Sequence, residues 1–220
     1  MEQSAARRSG AQILAHALGN IFLGIAIGLL GYHFATDLLT QVEQETLAAQ
    51  FPSVEEPAEA PPEADPFDWE GWEEEDLAYW EGLADGEALG RLVSEAMDLD
   101  AVVVKGTSRT VLMKGPGWIT YTDLPGPTGN FGVAGHRTTY GAPFRHMDRL
   151  GDGDVVTFTT PFRVYTYEVS RVFEVTPDRV DVMDTSDEPG LTMSACHPPY
   201  SARLRLITRC ELVSVRRIDQ

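Results

Sequence analysis

A run of 23 residues without a formal charge, ILAHALGNIFLGIAIGLLGYHFA at 13–35, most constrains what this chain can fold into. As a helix it would be about 35 Å long, enough to cross the ~30 Å hydrocarbon core of a bilayer. Arg7 and Arg8 precede the run and Asp37 follows it, so the positive-inside bias places the N-terminus in the cytoplasm. The sequence therefore predicts a cytoplasmic tail at 1–12 and one transmembrane helix at 13–35.

A cleaved secretory signal is the alternative interpretation of this run. The run is longer than the usual apolar region of a signal peptide, and no small-x-small cleavage motif follows it directly. An uncleaved anchor is therefore favoured, and both interpretations export the rest of the chain. We expect a single-pass protein of the cell membrane whose C-terminal part is extracellular.

Acidic residues are concentrated just after the apolar run. Residues 41–90 contain 16 of the 34 acids and none of the 17 bases, so the acids and bases of the remaining chain nearly balance. No basic stripe is present, which argues against nucleic acid as a partner. Pro, Glu and Ala with self-repelling charge are typical of an extended, mostly unfolded linker, which we place at 36–86.

Five aromatic residues are unusual in such a linker, because aromatic side chains favour burial or a bilayer interface. A segment that folds back on the neighbouring domain or its groove is therefore a second interpretation of this stretch. The aromatic residues concerned are Phe67, Trp69, Trp72, Tyr79 and Trp80.

From residue 87 to residue 220 the pattern changes to short β-branched or alternating runs separated by Gly, Pro and Asp. Such spacing predicts a mainly β domain, a barrel or a sandwich, of about 130 residues. Helical periodicity is weak here, and we expect only short helical pieces near 87–97 and 144–150. The fold class predicted is mainly β with short helices.

The chain has two cysteines, and an exported protein is permitted to form disulfides. If the strands around Cys196 and Cys210 pair through the intervening Pro198-Pro199 turn, the two cysteines are offset along the hairpin. At about 3.3 Å per residue the offset exceeds the reach of a disulfide. We therefore expect two free thiols, with Cys210 in the core and Cys196 accessible at a strand end.

A thiol becomes an effective nucleophile when a base or a positive charge favours the thiolate. Three histidines lie outside the apolar run. His197 adjoins Cys196 but points to the opposite face of an extended backbone, and His146 lies in a short polar stretch expected at the surface. His136 follows a short apolar strand and a glycine, where its ring can reach a strand end.

Arginine supplies a further candidate. In an antiparallel hairpin Arg205 begins the second strand and can approach Cys196, where its guanidinium could stabilise an oxyanion or hold a carbonyl. Arg203 is nearer the turn and is expected to be solvated. On these residues alone, Cys196 as a nucleophile and Cys196 as a structural thiol both remain open.

The stretches GHRTTYG at 135–141 and CHPPYSA at 196–202, with RLI at 205–207, resemble the two signature blocks of sortases, in particular class E sortases of actinobacteria. The resemblance covers about 87–220 and implies that this part is the catalytic domain. It also implies a closed sortase-type β-barrel, and it accounts for an N-terminal membrane anchor.

The resemblance implies roles for three residues: His136 as general acid/base, Cys196 as nucleophile, and Arg205 as an oxyanion-stabilising or substrate-positioning group. The implied reaction is transpeptidation. The thiolate attacks the Thr–Gly bond of an LPxTG-like or LAxTG-like C-terminal sorting signal on a secreted protein. An amine, typically of a peptidoglycan precursor, then resolves the thioester. No cofactor or metal is implied.

We also expect substrate contacts from Tyr140, Thr192, Ala195 and Ser201, and a groove wall from the acidic loop 177–190. Ala195 departs from the family pattern, which usually has threonine directly before the cysteine. A hydroxyl beside the nucleophile is therefore missing, which could change substrate positioning or rate.

Two rival functions can be stated. An L,D-transpeptidase also uses Cys, His and Arg on a β-rich domain, but its His and Cys are close in sequence within a Ser-His-Gly-Cys run. Here His136 and Cys196 are 60 positions apart, and the local run is Ser-Ala-Cys-His. The other rival is a catalytically inactive, anchored binding module.

Overall fold

The computed structural model describes residues 10–51 and 65–218. Its first element is a 39-residue helix, α1 (Gly10–Ala48), which includes the whole predicted span 13–35. By length and composition α1 can cross a membrane, and its apolar part is not buried against the protein. Most of the predicted tail, residues 1–9, lies outside the described residues, and 10–12 form the first turn of α1.

Eight strands form a closed barrel, which confirms the predicted mainly β barrel with short helices. The strand order around the barrel is β1-β2-β3-β4-β7-β8-β6-β5, with parallel pairs β2/β3 and β4/β7. The strands are β1 (Ala88–Ser94), β2 (Leu99–Lys105), β3 (Gly117–Trp118), β4 (Asn130–Gly135), β5 (Val155–Thr159), β6 (Arg163–Val175), β7 (Gly190–His197) and β8 (Leu204–Arg217).

The remaining helical elements are short. They are a π-helical turn (Glu73–Leu77) leading into α2 (Ala78–Glu81), α3 (Arg109–Leu112), and 3-10 turns at Met147–Arg149 and Val180–Met183. The prediction of a short helix near 87–97 is wrong, because β1 occupies most of this stretch. The piece expected near 144–150 contains the first 3-10 turn.

Strand directions define two ends of the barrel. The ends of β4, β6 and β7 and the start of β8 lie together at what we call the site end. The starts of β1, β4, β6 and β7 and the end of β8 lie at the opposite, far end. Side chains along each strand point alternately to the barrel interior and to the outer face. Whether a residue holds an odd or an even position in its strand, which we call its parity, therefore decides which of the two faces it occupies.

The barrel interior is filled by large apolar side chains, as expected for a small closed barrel. Phe131 and Phe158 pack at the centre with ring centroids 5.0 Å apart. A Cβ at Gly90 would lie 2.3 Å from the Phe158 ring, so only glycine fits where this ring crosses β1. Other fully buried members are Leu89, Leu92, Val133, Tyr165, Tyr167, Leu191 and Met193.

The stretch predicted as an extended linker, 36–86, is structured wherever it is described. Residues 36–48 continue α1, and residues 65–83 pack on the far end of the barrel. Trp80 is fully buried and its indole Nε1 donates to the Leu89 carbonyl at 3.0 Å. The second interpretation of the aromatic residues, folding back on the domain, is the one the structure shows; residues 52–64 lie outside the described part.

Basic residues of the barrel offset the acidic charge that argued for an unfolded linker. Arg163, fully buried at the start of β6, pairs with Asp76 at 2.7 Å and with Glu75 at 2.8 Å. Arg217, at the end of β8, also pairs with Glu75. Composition of the linker alone could not reveal these partners, because both arginines lie more than 80 residues away in sequence.

Replacing Asp76 by Ala leaves the buried guanidinium of Arg163 without its fully buried partner. We expect a loss of about 3–5 kcal/mol in the free energy of unfolding, measured by urea denaturation of residues 36–220. Glu74→Ala is the matched control, because it removes the same charge from an exposed position of the same turn. We call the ion pairs of Glu75 and Asp76 with Arg163 and Arg217 the acidic clamp. Equal effects of the two variants would show that the acidic clamp does not stabilise the fold.

Candidate active site

The hairpin of β7 and β8 brings Cys196 and Arg205 together. The two residues are directly opposite each other in the antiparallel ladder, an arrangement that separates Cβ atoms by about 4.5–5.5 Å. Cys196 is a half-buried free thiol. The Arg205 guanidinium stays at the turn, where Nη1 donates to the carbonyls of Ala202 at 3.2 Å and Leu204 at 3.1 Å.

His136 reaches the same end of the barrel on the neighbouring strand. β4 pairs in parallel with β7, and Gly135 opposite Ala195 is the last pair of this ladder. His136 and Cys196 are therefore the next residues of two adjacent strands that run in the same direction. The pairings place a thiol, an imidazole and a guanidinium on three consecutive strands at the site end.

Packing fixes the backbone at His136. A Cβ at Gly135 would lie 2.7 Å from the Phe144 ring, so glycine lets the buried Phe144 approach the end of β4. The Phe144 amide donates to the His136 carbonyl at 3.0 Å. These contacts turn the chain sharply after His136 and explain why glycine precedes the histidine.

The His136 imidazole is partly removed from water. Its Nε2 atom is buried and has no hydrogen-bond partner among the described residues, and its ring lies 5.1 Å from that of Tyr140. Burial lowers the pKa of His136 below its ordinary value of 6.5. The imidazole is therefore neutral at neutral pH and can accept a proton.

The second cysteine has a different environment. Cys210 is opposite Leu191, five positions along β8 from the partner of Cys196. It is fully buried, and burial raises its pKa to about 12. The offset confirms the expectation of two free thiols, and it leaves Cys196 as the accessible one.

A chain of polar contacts closes the site end from the inside. The buried Arg137 pairs with Asp148 at 2.8 Å through Nη2, and its Nη1 donates to Nδ1 of His197. The other ring nitrogen of His197, Nε2, lies 3.0 Å from the carboxylate of Glu174 on β6. We call these four residues the inner network.

The inner network assigns the tautomer of His197. Arginine only donates hydrogen bonds, so Nδ1 of His197 must accept, which places the ring proton on Nε2 facing Glu174. A histidine held in this way is not available as the base for Cys196, in agreement with its exclusion on strand parity.

Sequence reasoning missed the inner network, although its signal is present. Arg137 directly follows His136, and His197 directly follows Cys196. Because neighbouring residues of a strand face opposite sides, the candidate catalytic residues occupy the outer face while Arg137 and His197 meet on the inner side. Each signature block thus carries one outer candidate catalytic residue and one residue of the inner network.

Two of the residues expected to contact substrate have covered side chains in the structure. Ala195 is 2% exposed and packs in the barrel interior, since its parity is opposite to that of Cys196. Thr192 has the outer parity but is fully covered, and its hydroxyl donates to Oδ1 of Asn130 at 2.7 Å. Neither side chain is open to a ligand.

Tyr140 and Ser201 lie beside the site. Tyr140 packs on His136, and the Ser201 hydroxyl accepts from the Arg203 amide at 3.2 Å within the turn between β7 and β8. Substrate contact by either residue stays a prediction.

The loop 177–190 packs over the outer face next to Cys196. Its residues Val182 and Met183 form an apolar cluster with Ile119, Val175 and Ile207. Parity puts Ile207 on the same outer face as Cys196, two positions along β8 from Arg205. The loop is therefore anchored by buried apolar side chains on the outer face of the sheet that carries Cys196.

A closed barrel with cysteine, histidine and arginine on adjacent strands at one end is the arrangement that the sequence resemblance implied for a cysteine transpeptidase. The model of the Sortase domain family matches residues 92–213, more than half of the chain. This chain belongs to the sortase family, whose members are cysteine transpeptidases.

Individual relatives point to class E. Sortase SrtE1 of Streptomyces coelicolor is 34% identical over 97 residues, which cover 40% of this chain and 28% of that protein. Sortase SrtE2 of the same organism is 32% identical over 136 residues, covering 54% of this chain and 53% of that protein. The chain thus spans about half or less of these curated relatives.

Solved structures agree with this assignment. Sortase E1 from Streptomyces coelicolor matches with a TM-score of 0.56 at 25% identity, covering 60% of this chain and 91% of that one. Sortase E from Streptomyces avermitilis matches with a TM-score of 0.55 at 30% identity, covering 61% and 93%.

The inner network generates a test of positioning. Replacing His197 by Ala removes the link between the strand ends that carry His136 and Cys196, and we expect kcat for a sorting-signal peptide to fall on the order of tenfold or more. His197→Asn, whose amide oxygen can accept from Arg137, should restore part of that loss.

The matched control for this test is Arg149→Ala, an exposed arginine in the same 3-10 turn as Asp148. Thermal unfolding of all three variants separates a positioning effect from a loss of folded protein. If His197→Ala and Arg149→Ala retain the same kcat, the inner network does not position His136 and Cys196.

Proposed function

We propose that this protein is a membrane-anchored sortase. It cleaves the Thr–Gly bond of an LPxTG-like or LAxTG-like C-terminal sorting signal and transfers the secreted protein to an amine acceptor of the cell wall. The observation that carries the proposal is the register of three strands, which sets Cys196 opposite Arg205 and brings His136 to the end of the adjacent strand.

Each of the three residues has one role in this reaction. The Cys196 thiolate attacks the threonine carbonyl carbon, and the oxyanion that forms is stabilised by the guanidinium of Arg205. The His136 imidazolium gives its proton to the departing glycine nitrogen, which leaves a thioester on Cys196. Neutral His136 then takes a proton from the incoming amine, whose attack releases the thiolate.

Loop 177–190 supports a groove for the sorting signal on the outer face of the barrel. Its residues Val182 and Met183 pack against Ile207 on β8, the strand that also carries Arg205, so the loop stands beside the strand ends as one wall of the proposed groove.

The apolar part of α1 supports anchoring. The span 13–35 matches the thickness of a bilayer, and Arg7 and Arg8 on its N-terminal side support an N-terminus in the cytoplasm with the barrel outside. The proposed domain division is tail 1–12, span 13–35, intervening segment 36–86 and catalytic domain 87–220, although the clamp to Arg163 makes the end of 36–86 part of the folded unit.

The alternatives are an L,D-transpeptidase and an inactive anchored module. The match to the sortase family and the 60-residue step from His136 to Cys196 argue against the first. The inactive module differs from a sortase only in turnover, which a nucleophile variant tests directly.

Replacing Cys196 by Ala should abolish cleavage of an LAxTG peptide in the presence of an added amine, because no thioester can form. Replacing Arg205 by Ala should lower kcat on the order of 10²-fold, the typical cost of one oxyanion donor. Products are quantified by mass spectrometry. Cys210→Ala is the matched control and should retain activity; turnover by the Cys196→Ala variant would sink the catalytic proposal.

The pH dependence follows from the shifted pKa of His136. Only a minor fraction of the protein carries the Cys196 thiolate and the His136 imidazolium at the same time. This fraction falls at acid pH, where the thiolate is protonated, and at alkaline pH, where the imidazolium is deprotonated, so the kcat/KM profile should be bell-shaped. Protonation of His136 sets the acid limb, and burial moves that limb below 6.5.

Tyr140→Ala uncovers one face of the His136 ring and should move the acid limb up towards the ordinary value, because the charged imidazolium regains water. The exposed Tyr121 gives the control variant Tyr121→Ala, which should leave the limb in place. A flat profile from acid to alkaline pH would contradict the proposed acid/base role of His136.

A further inference from the structure

The helix α1 runs along the barrel wall in a defined direction. Near its C-terminal end, Leu47 and Phe51 pack with Ala88, the first residue of β1 at the far end. Towards its N-terminus, Asp37 contacts Gly141 in the loop that follows His136. The apolar part of α1 therefore leaves the barrel at the site end.

Side-chain pairing with the barrel backbone holds the helix in place. The Gln44 amide accepts from Val102 N at 2.6 Å and donates to Val102 O at 3.1 Å, as a neighbouring strand would. The same amide donates to the Lys114 carbonyl at 2.8 Å, and the Thr40 hydroxyl donates to the Met113 carbonyl at 2.8 Å. Such directional contacts with backbone groups define one orientation of α1.

The helix also holds the turn that carries His136. Tyr140, Gly141 and Ala142 all have left-handed backbone conformations, with φ of 54°, 72° and 46°. For Tyr140 and Ala142 this conformation is strained and needs support from outside the turn. The carboxylate of Asp37 supplies it by accepting from the Gly141 amide at 3.0 Å.

Tyr140 connects this support to the site. Its ring lies against His136, and its hydroxyl lies 3.5 Å from that of Tyr32 on α1. Tyr32 belongs to the span 13–35. Asp37 follows the last residue of this span by two positions, a distance of about 3 Å along the helix axis. The turn beside His136 is therefore level with the end of the membrane span.

We propose that α1 is an architectural part of the active site: it fixes the site end of the barrel against the outer surface of the lipid bilayer, and Asp37 is a positioning residue for His136. The inference rests on the proposed anchoring by α1. It implies that the reaction takes place at the bilayer surface and that the far end, with its acidic clamp, faces away from the membrane.

An exposed aromatic residue at the site end fits this orientation. Tyr200, in the turn between β7 and β8, is 91% exposed, and tyrosine is favoured at the membrane–water interface. Tyr121 is also exposed, at 71%, but precedes a segment that pairs with Asn130 and Phe131 at the start of β4. Tyr200 therefore lies at the site end of the barrel, and Tyr121 lies towards the far end.

Depth in the bilayer tests the orientation. The full chain is placed in phosphatidylcholine vesicles as Tyr200→Trp and, separately, Tyr121→Trp, and fluorescence is compared with and without brominated lipid. The contribution of the tryptophan added at 200 should be quenched, whereas that added at 121 and the native tryptophans should not.

Vesicle flotation separates the two proposals. A chain that does not float with vesicles lacks the anchor, which would overturn the proposed anchoring and this inference with it. A chain that floats while the two added tryptophans are quenched equally, or not at all, would overturn the orientation alone.

Asp37 variants test the positioning role. Asp37→Ala should lower kcat for a soluble LAxTG peptide about fivefold, the equivalent of one hydrogen bond, and speed amide exchange at Gly141. Asp37→Asn keeps an acceptor oxygen and should restore both values. Glu45→Ala, an exposed acid on α1, is the control and should change neither.

Exchange at Gly141 does not depend on catalysis, so it tests Asp37 even without turnover. Unchanged exchange in Asp37→Ala, or equal losses in the Ala and Asn variants, would overturn the positioning role of the hydrogen bond.

Discussion

Parallel pairing of β4 with β7 is the constraint on which the site depends. A parallel pair ends at one edge, so the residues that follow Gly135 and Ala195 must emerge side by side. The antiparallel partner β8 then begins at that edge and adds Arg205 opposite Cys196. Residues 60 positions apart meet because three hydrogen-bonded strands share one end.

Alternation of side chains divides each signature block between two tasks. Cys196 and His136 take the outer face, whereas His197 and Arg137 face inwards and join their strands to Glu174 and Asp148 through charged hydrogen bonds. Inward-facing charges would be costly in a barrel interior, and they are tolerated here because each has a partner at the open end. The same arrangement links the strand ends that carry the two candidate catalytic residues.

The two segments that precede the barrel attach to it by different physical means. The acidic aromatic segment is clamped at the far end by the buried Arg163 and by burial of Trp80. The helix α1 pairs its Gln44 amide with the exposed edge of β2 and reaches the loop after His136 through Asp37. Both segments stabilise the domain from outside its sheet.

From the sequence alone, the apolar span, the mainly β domain, the free thiols and the identity of the two signature blocks could be predicted, because these depend on local composition, periodicity and motif. Three features were decided only by the tertiary structure. They are the folded state of 36–48 and 65–83 within the predicted linker, the covered positions of Thr192 and Ala195, and the inner network. These features depend on the face of the strand that a residue occupies and on charged partners that are distant in sequence. Ala195 adjoins Cys196 in sequence but faces the core, and Asp76 lies in an acidic segment but pairs with the buried Arg163.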